Sequence, residues 1–242
     1  MTEPADTFVY TGDELENFEA AVNWKAYWSA QIAPYLGQDV LELGAGIGAT
    51  ARTLADHPAR RWLGLEPDPG MCETVRRRMG VDRFPPGFDI RCGTSEQLAS
   101  NELFDTVLYI DVLEHIDDDR AELERVARHL KPGGHIVVVA PAHQWLYTDF
   151  DRKIGHFRRY DRRMLEAIVP PGLTVRRMRY LDSVGMLASL GNKLVLQSDT
   201  PKASQIRLWD SVMVRLSRWT DPMTGYLLGK SIVCVMASSA QA

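Results

Sequence analysis

Apolar residues fall into short blocks that alternate with amphipathic stretches along most of the chain. Near-continuous apolar runs predict strands at Asp39–Leu43, Arg61–Glu66, Phe88–Cys92, Phe104–Tyr109 and His135–Ala140. Between them apolar positions recur at helical spacing, predicting helices over Ile47–Asp56, Pro69–Arg78 and Asp118–Leu130. Strands that are apolar on both faces belong to a parallel sheet with helices packed on either side. Ahead of the first strand, Glu14–Leu36 reads as an amphipathic helix, with Phe18, Val22, Trp24, Tyr27, Trp28 and Ile32 supplying apolar bulk. Leu173–Leu181 and Lys230–Ser238 read as the last two strands. The roughly fifty residues between them far exceed an ordinary connection, and Ser183–Gln197 and Ser204–Trp219 within this stretch read as apolar-rich helices.

The joint between the first strand and its helix carries the chemistry. Val40-Leu41-Glu42-Leu43-Gly44-Ala45-Gly46-Ile47-Gly48 is an apolar strand running into a glycine-rich turn. Residues without a Cβ accept positive φ and let backbone approach a ligand closely, and the helix start behind them offers free N–H groups. Glu66 ends the next strand, about 20 residues on, where dinucleotide folds place an acid for ribose hydroxyls. The dinucleotide pattern is G-x-G-x-x-G, whereas this chain has Glu-x-Gly-x-Gly-x-Gly. Glu42 would repel a diphosphate and suits a ligand bearing an amino group.

These motifs and those that follow resemble the class I S-adenosylmethionine-dependent methyltransferases from about Val40 to Ala140, and more weakly on either side. Gly93-Thr94-Ser95-Glu96-Gln97-Leu98 is similar to the segment that passes the adenine. Phe104 to Ile116 is similar to the fourth strand and the turn beside the methionine part of the cofactor. Leu130 to Val139 is similar to the following turn and fifth strand. Gly155-His156-Phe157-Arg158-Arg159-Tyr160 resembles a subgroup of bacterial small-molecule and envelope-associated members. The resemblance implies an α/β fold with a Rossmann-like, seven-stranded, mostly parallel sheet, an antiparallel last strand and a helical insertion before it. It implies one domain over residues 1–242: a helical cap (1–38), a cofactor-binding core (39–181), a helical insertion or lid (182–229), and a last strand with tail (230–242).

S-adenosylmethionine is the implied cofactor. Glu66 is expected to hold its ribose, with Pro67 beside the adenine and Thr94 and Ser95 edging it. Glu42, Gly44, Ala45, Gly46 and Gly48 are expected along the methionine and ribose, with Ile110 and Asp111 near the methionine chain and Trp24 and Tyr27 closing the other side. Glu66 also reads as a solvated strand-end acid, and Asp111 as a helix N-cap. Methyl transfer itself requires alignment of nucleophile, methyl carbon and sulfur and the exclusion of water. A base is needed only where the acceptor must lose a proton, and the candidates are His143, His115, Tyr147, Asp149 and His156, with Asp111 near the reacting methyl. His143 also reads as a loop histidine fixing a turn, and His115 as structural. The basic run His156 to Arg163 reads first as an ion-pair network with nearby acids, and second as an anion clamp. The insertion reads as the lid that selects the acceptor, through Met186, Leu187, Leu190, Leu194, Leu196, Trp209, Met213, Leu216 and Trp219. Core packing, a dimer contact and a membrane-surface patch compete with that reading.

At 242 residues the chain is long enough for a full core, and its net charge of −4 gives no reason to expect nucleic acid. Its three cysteines, Cys72, Cys92 and Cys234, lack metal spacing and suit reduced thiols in the cytosol. The histidines share no spacing with cysteines or acids, so no metal is expected. No run is long and apolar enough to span a membrane, and no signal-peptide core precedes the first helix. The expected activity is methyl transfer to a small, partly hydrophobic acceptor, with the oligomeric state open and a homodimer one option. The alternatives are cyclisation or aminocarboxypropyl transfer from the same cofactor, and a non-catalytic S-adenosylhomocysteine-binding module.

Overall fold

The computed structural model describes residues 19–191 and 203–238. Seven strands form one sheet: β1 (Asp39–Leu43), β2 (Arg61–Glu66), β3 (Phe88–Cys92), β4 (Phe104–Ile110), β5 (Leu130–Pro141), β6 (Leu173–Leu181) and β7 (Ser231–Ser238). Their order is β3-β2-β1-β4-β5-β7-β6. The first five pair in parallel, and β7 is antiparallel to both of its neighbours. This is the α/β, Rossmann-like fold that the resemblance implies, and its parallel part is the one expected from the alternation of blocks.

Each central strand divides its residues between two apolar layers. Val40, Trp62, Leu108, Val137 and Val233 face one layer, while Leu41, Leu63, Val107, Ile136 and Ile232 face the other. Successive side chains of a strand point to opposite faces, so burial on both faces requires an unbroken apolar run. Leu41, Leu108 and Ile136 are fully buried, and each such side chain contributes about 1.5–3 kcal/mol.

Helix α1 (Val22–Ile32) packs on the first layer through Trp24, Tyr27, Trp28 and Ile32, which recur at helical spacing. It is shorter than the sequence suggests: a 3₁₀ turn at Ala33–Tyr35, containing Pro34, ends it, and Glu14 to Phe18 lie outside the described residues. Ala21 at its N-cap offers no side-chain oxygen. The exposed amides are met instead by Asp210, whose carboxylate accepts from Trp24 N–H at 2.8 Å and Asn23 N–H at 3.2 Å.

Helix α2 (Ala49–Thr53) is also shorter than expected, because Gly48 enters it with φ +78° and Leu54 leaves helical geometry. In α3 (Pro69–Met79), Asp68 is the N-cap and accepts from Gly70 and Met71 N–H. The other layer is covered by α4 (Asp119–Ala127) and α6 (Arg162–Ala167), and the short α5 (Asp149–Lys153) follows β5.

The long connection before β7 forms a helical layer. Helix α7 is Ser183–Gly191; residues 192–197 of the expected helix, with Leu194 and Leu196, lie outside the described residues. Helix α8 (Ala203–Leu208) continues through a π-turn at Trp209–Met213 into α9 (Val214–Met223). Two buried acids fasten this layer. Asp182 accepts from Trp209 Nε1 (2.6 Å), Ser217 Oγ (2.7 Å) and Gly185 N–H (3.0 Å). Asp221 accepts from Tyr27 Oη (2.8 Å), Asp182 N–H (2.7 Å) and Ser183 N–H (3.0 Å). Among the described residues no helix is long and apolar enough to cross a membrane.

Candidate functional site

A cavity of about 750 Å³ opens at the C-terminal ends of β1, β4 and β5, under the helical layer. Open α/β sheets bind ligands at this edge. Three sides meet there. The glycine turn contributes Gly44, Ala45, Gly46 and Ile47. Aromatic and apolar walls come from Trp24 and Trp28 of α1 and from Ile206, Trp209 and Met213 above them. A polar floor comprises Asp111, Glu114, His115, Asp151, His156, Arg159 and Lys230.

The turn is shaped by backbone geometry. Gly44, Gly46 and Gly48 all have positive φ, and a Cβ on Gly44 would lie 2.6 Å from Val112 Cγ2. Glu66 holds the turn in place: its carboxylate accepts from Gly46 N–H (2.8 Å) and Asp68 N–H (2.9 Å). Burial raises the Glu66 carboxyl above its ordinary range. Glu66, Pro67 and Thr94 sit beyond the turn at the ends of β2 and β3, outside this cavity. Thr94 forms a capping box with Gln97.

Several candidate residues are occupied elsewhere. Glu42 lies behind the turn, accepting from Trp62 Nε1 at 2.8 Å, and burial pushes its carboxyl up to about 8. Gly48 fits against the Phe84 ring rather than the cavity. Ser95 donates to Glu122 at 2.7 Å, and Tyr27 bonds Asp221 instead of facing the ligand. His143 is turned away from the cavity: its φ is +66° and its ring stacks on Tyr180 at 4.6 Å. Tyr147 donates to the His156 carbonyl at 2.6 Å, and Asp149 is an exposed partner of Arg152. Of the proposed bases only His115 and His156 line the cavity, with Asp111 beside them.

The floor is electrostatically unusual. Desolvation by the surrounding walls pushes the Asp111 carboxyl up to about 6, although its side chain is open to the cavity, and burial holds Glu114 well above its ordinary range. Burial pushes His115 down to about 4 and also lowers Lys230. Asp151 goes the other way: burial works to raise it, but hydrogen bonds from His156 and Arg159 outweigh that and hold it well below the usual carboxylate range. Arg159 clasps Asp151 at 2.8 and 2.9 Å. Arg158 bonds Asp119 at 2.6 Å and Asp117, so these two arginines sit in an ion-pair network, and Arg159 borders the cavity as well.

Glu114 and Lys230 were not among the sequence candidates, and Asp151 and Arg159 entered only through the ion-pair and anion-clamp readings of the basic run. Glu114 adjoins His115, and Asp151 and Arg159 flank His156, but only the fold brings these two segments and Lys230 together. The expectation that no metal site exists also meets an opposing observation, since Glu114, His115 and His156 bring their ligand atoms within 4.8 Å of one another. The lid residues divide. Trp209 and Met213 line the cavity, Met186 is buried outside it, and Leu187, Leu216 and Trp219 are exposed.

Residues 41–138 match a family described as a methyltransferase domain. The chain is 33% identical over 109 residues to a ubiquinone biosynthesis O-methyltransferase of Bradyrhizobium diazoefficiens, covering 45% of this chain and 42% of that one. It is 28% identical over 173 residues to an uncharacterized 37.1 kDa protein in a transposon of Streptomyces fradiae, covering 70% and 49%. The chain thus spans less than half the length of either relative. In fold it is similar to a SAM-dependent methyltransferase from Archaeoglobus fulgidus, with TM-score 0.63, 16% identity and coverage of 94% and 100%. Over residues 41–138 the chain is thus similar to methyltransferase domains.

Proposed function

We propose that the whole chain is an S-adenosylmethionine-dependent methyltransferase that modifies a small, partly hydrophobic acceptor. The observation that carries this reading is the continuous cavity from the Gly44 turn to the floor around His115, roofed by Trp209 and Met213. Backbone at the turn suits the methionine and ribose parts of the cofactor, and Glu66, whose carboxylate braces the turn from the end of β2, is the acid we assign to the ribose hydroxyls. The aromatic walls suit the apolar body of an acceptor, and the polar floor suits its reacting group. A hydroxyl oxygen is the first acceptor atom to test, because the Bradyrhizobium relative is named an O-methyltransferase. The free thiols of Cys72, Cys92 and Cys234 favour a cytosolic setting.

The test is calorimetric titration with S-adenosylmethionine and S-adenosylhomocysteine, followed by mass spectrometry of mixtures with hydroxylated aromatic compounds. Binding of both ligands and gain of one methyl by an acceptor are expected, and Glu66→Ala should weaken cofactor binding by about tenfold or more. Breakdown of the cofactor alone would replace methyl transfer with a cyclising or aminocarboxypropyl-transferring reaction. Binding without turnover of any kind would leave a cofactor-binding module, and no binding would refute the reading.

A further inference from the structure

Glu114 is fully buried, borders the cavity, and has no hydrogen-bond partner for either carboxylate oxygen among the described residues. Folding does not readily leave a carboxyl in that condition, because a buried acid without a donor or cation loses its hydration for nothing. Two imidazoles stand beside it. His156 Nε2 lies 3.9 Å from Glu114 Oε1, and the His115 and His156 rings meet edge to face at 4.6 Å.

We infer that Glu114, His115 and His156 form a binding site for a divalent first-row transition-metal ion on the cavity floor. Two imidazoles with one carboxylate are the donor set of open metal sites, and imidazole nitrogen favours zinc and its neighbours over magnesium or calcium. The ligand atoms lie within 4.8 Å of one another. Donors about 2.1 Å from a tetrahedral ion stand roughly 3.4 Å apart, so the set must close by up to roughly 1.4 Å.

The surroundings hold the imidazoles in orientation. His156 Nδ1 meets Asp151 Oδ1 at 3.0 Å, which leaves Nε2 for the ion. Asp151 is itself fixed by Arg159 and by Thr148 N–H (2.8 Å) and Oγ1 (2.9 Å). A carboxylate behind a ligating histidine is the usual outer partner of a metal site. The His115 ring rests against the backbone of Gly155, with Nδ1 on that side. Glu114, His115 and His156 all line the cavity, where Asp111 also stands, so a ligand entering it would reach an ion held there.

On the methyltransferase reading, on which this role alone depends, an ion held there would let an acceptor hydroxyl lose its proton to water more easily. Its oxygen then bonds the methyl carbon as the carbon–sulfur bond breaks, and sulfur keeps the electron pair as a neutral thioether. No side-chain base is required for this step.

The site is tested without turnover, by adding Co²⁺ to chain stripped with chelator and following visible absorption and calorimetric heat. One Co²⁺ per chain with a ligand-field band is expected. Glu114→Gln and His156→Ala should each weaken it at least tenfold, and Asp151→Asn by about tenfold. Cys92→Ser, which alters an exposed thiol, should leave the band unchanged. Circular dichroism shows whether each variant folds, and the unaltered chain is decisive even if none does. Absence of stoichiometric binding by that chain overturns the site, as does binding that survives both Glu114→Gln and His156→Ala in folded protein. S-adenosylhomocysteine titration of the stripped chain reports separately on the methyltransferase reading.

Discussion

Gly44 to Gly46 reach the cavity as backbone, within one short turn, and are held by a single carboxylate at the end of the next strand. The floor is assembled differently, with Glu114 after β4, His156 beyond α5 and Lys230 just before β7 each supplying one side chain. The first arrangement depends on φ angles and on the absence of Cβ atoms, both of which are local properties. The second depends on strand order, since β7 lies between β5 and β6 and so carries Lys230 to the ends of β4 and β5. A backbone site tolerates little change in its own residues. A side-chain site depends more on the packing that brings its parts together.

The largest expected effect breaks the backbone half. Gly44→Val would add a branched side chain at φ +63° against Val112, and cofactor binding should fall below detection by calorimetry. Gly172→Ala is the control, because Gly172 also has positive φ (+84°) but open space around it. It should cost only about 1 kcal/mol in denaturant unfolding, the strain of a left-handed residue. Comparable damage from both would mean that φ, and not close approach, governs the turn.

The next effect targets the packing behind the other half. Asp182→Ala removes the acceptor for Trp209, Ser217 and Gly185 and leaves Lys230 Nζ, 3.7 Å away, without its carboxylate. Loss of a buried acid of this kind costs about 3–5 kcal/mol. Unfolding should shift accordingly, and Trp209 fluorescence should report loosening of the helical layer while the Gly44 turn still binds S-adenosylhomocysteine. Equal loss of cofactor affinity would show that the two halves are not separable.

A further effect concerns pH. Burial raises the Glu42 carboxyl to about 8, against about 4.3 in unfolded chain. The folded state binds the proton more tightly, so this contribution to stability is full below about pH 4.3 and is lost as pH rises through about 8. Glu42→Gln keeps an oxygen for Trp62 Nε1 and removes the titration, so its unfolding free energy should vary less across that window. A variant as pH-sensitive as the parent would place the effect elsewhere.

Strands β1, β2, β3 and β6 were legible in the sequence to the residue, and in β1 and β2 burial on both faces leaves a near-continuous apolar signature. Helix ends were less legible. The end of α1 was set by a proline turn, and its start is capped by Asp210, a residue nearly the whole chain away. His143 was misplaced as a base because its position after β5 puts it near the cavity in sequence, while its positive φ turns the ring onto Tyr180. Glu42 matched its motif, yet its side chain points behind the turn to Trp62.

By itself the sequence determined the alternation of strands and helices, the glycine turn and the position of Glu66 at the end of the second strand. Each follows from dihedral preference, side-chain periodicity and spacing over a few tens of residues. Only the tertiary structure decided which acids and histidines share the cavity floor. Glu114 and His156 meet because the sheet order folds distant segments onto one edge, and no local pattern encodes a contact created by chain topology.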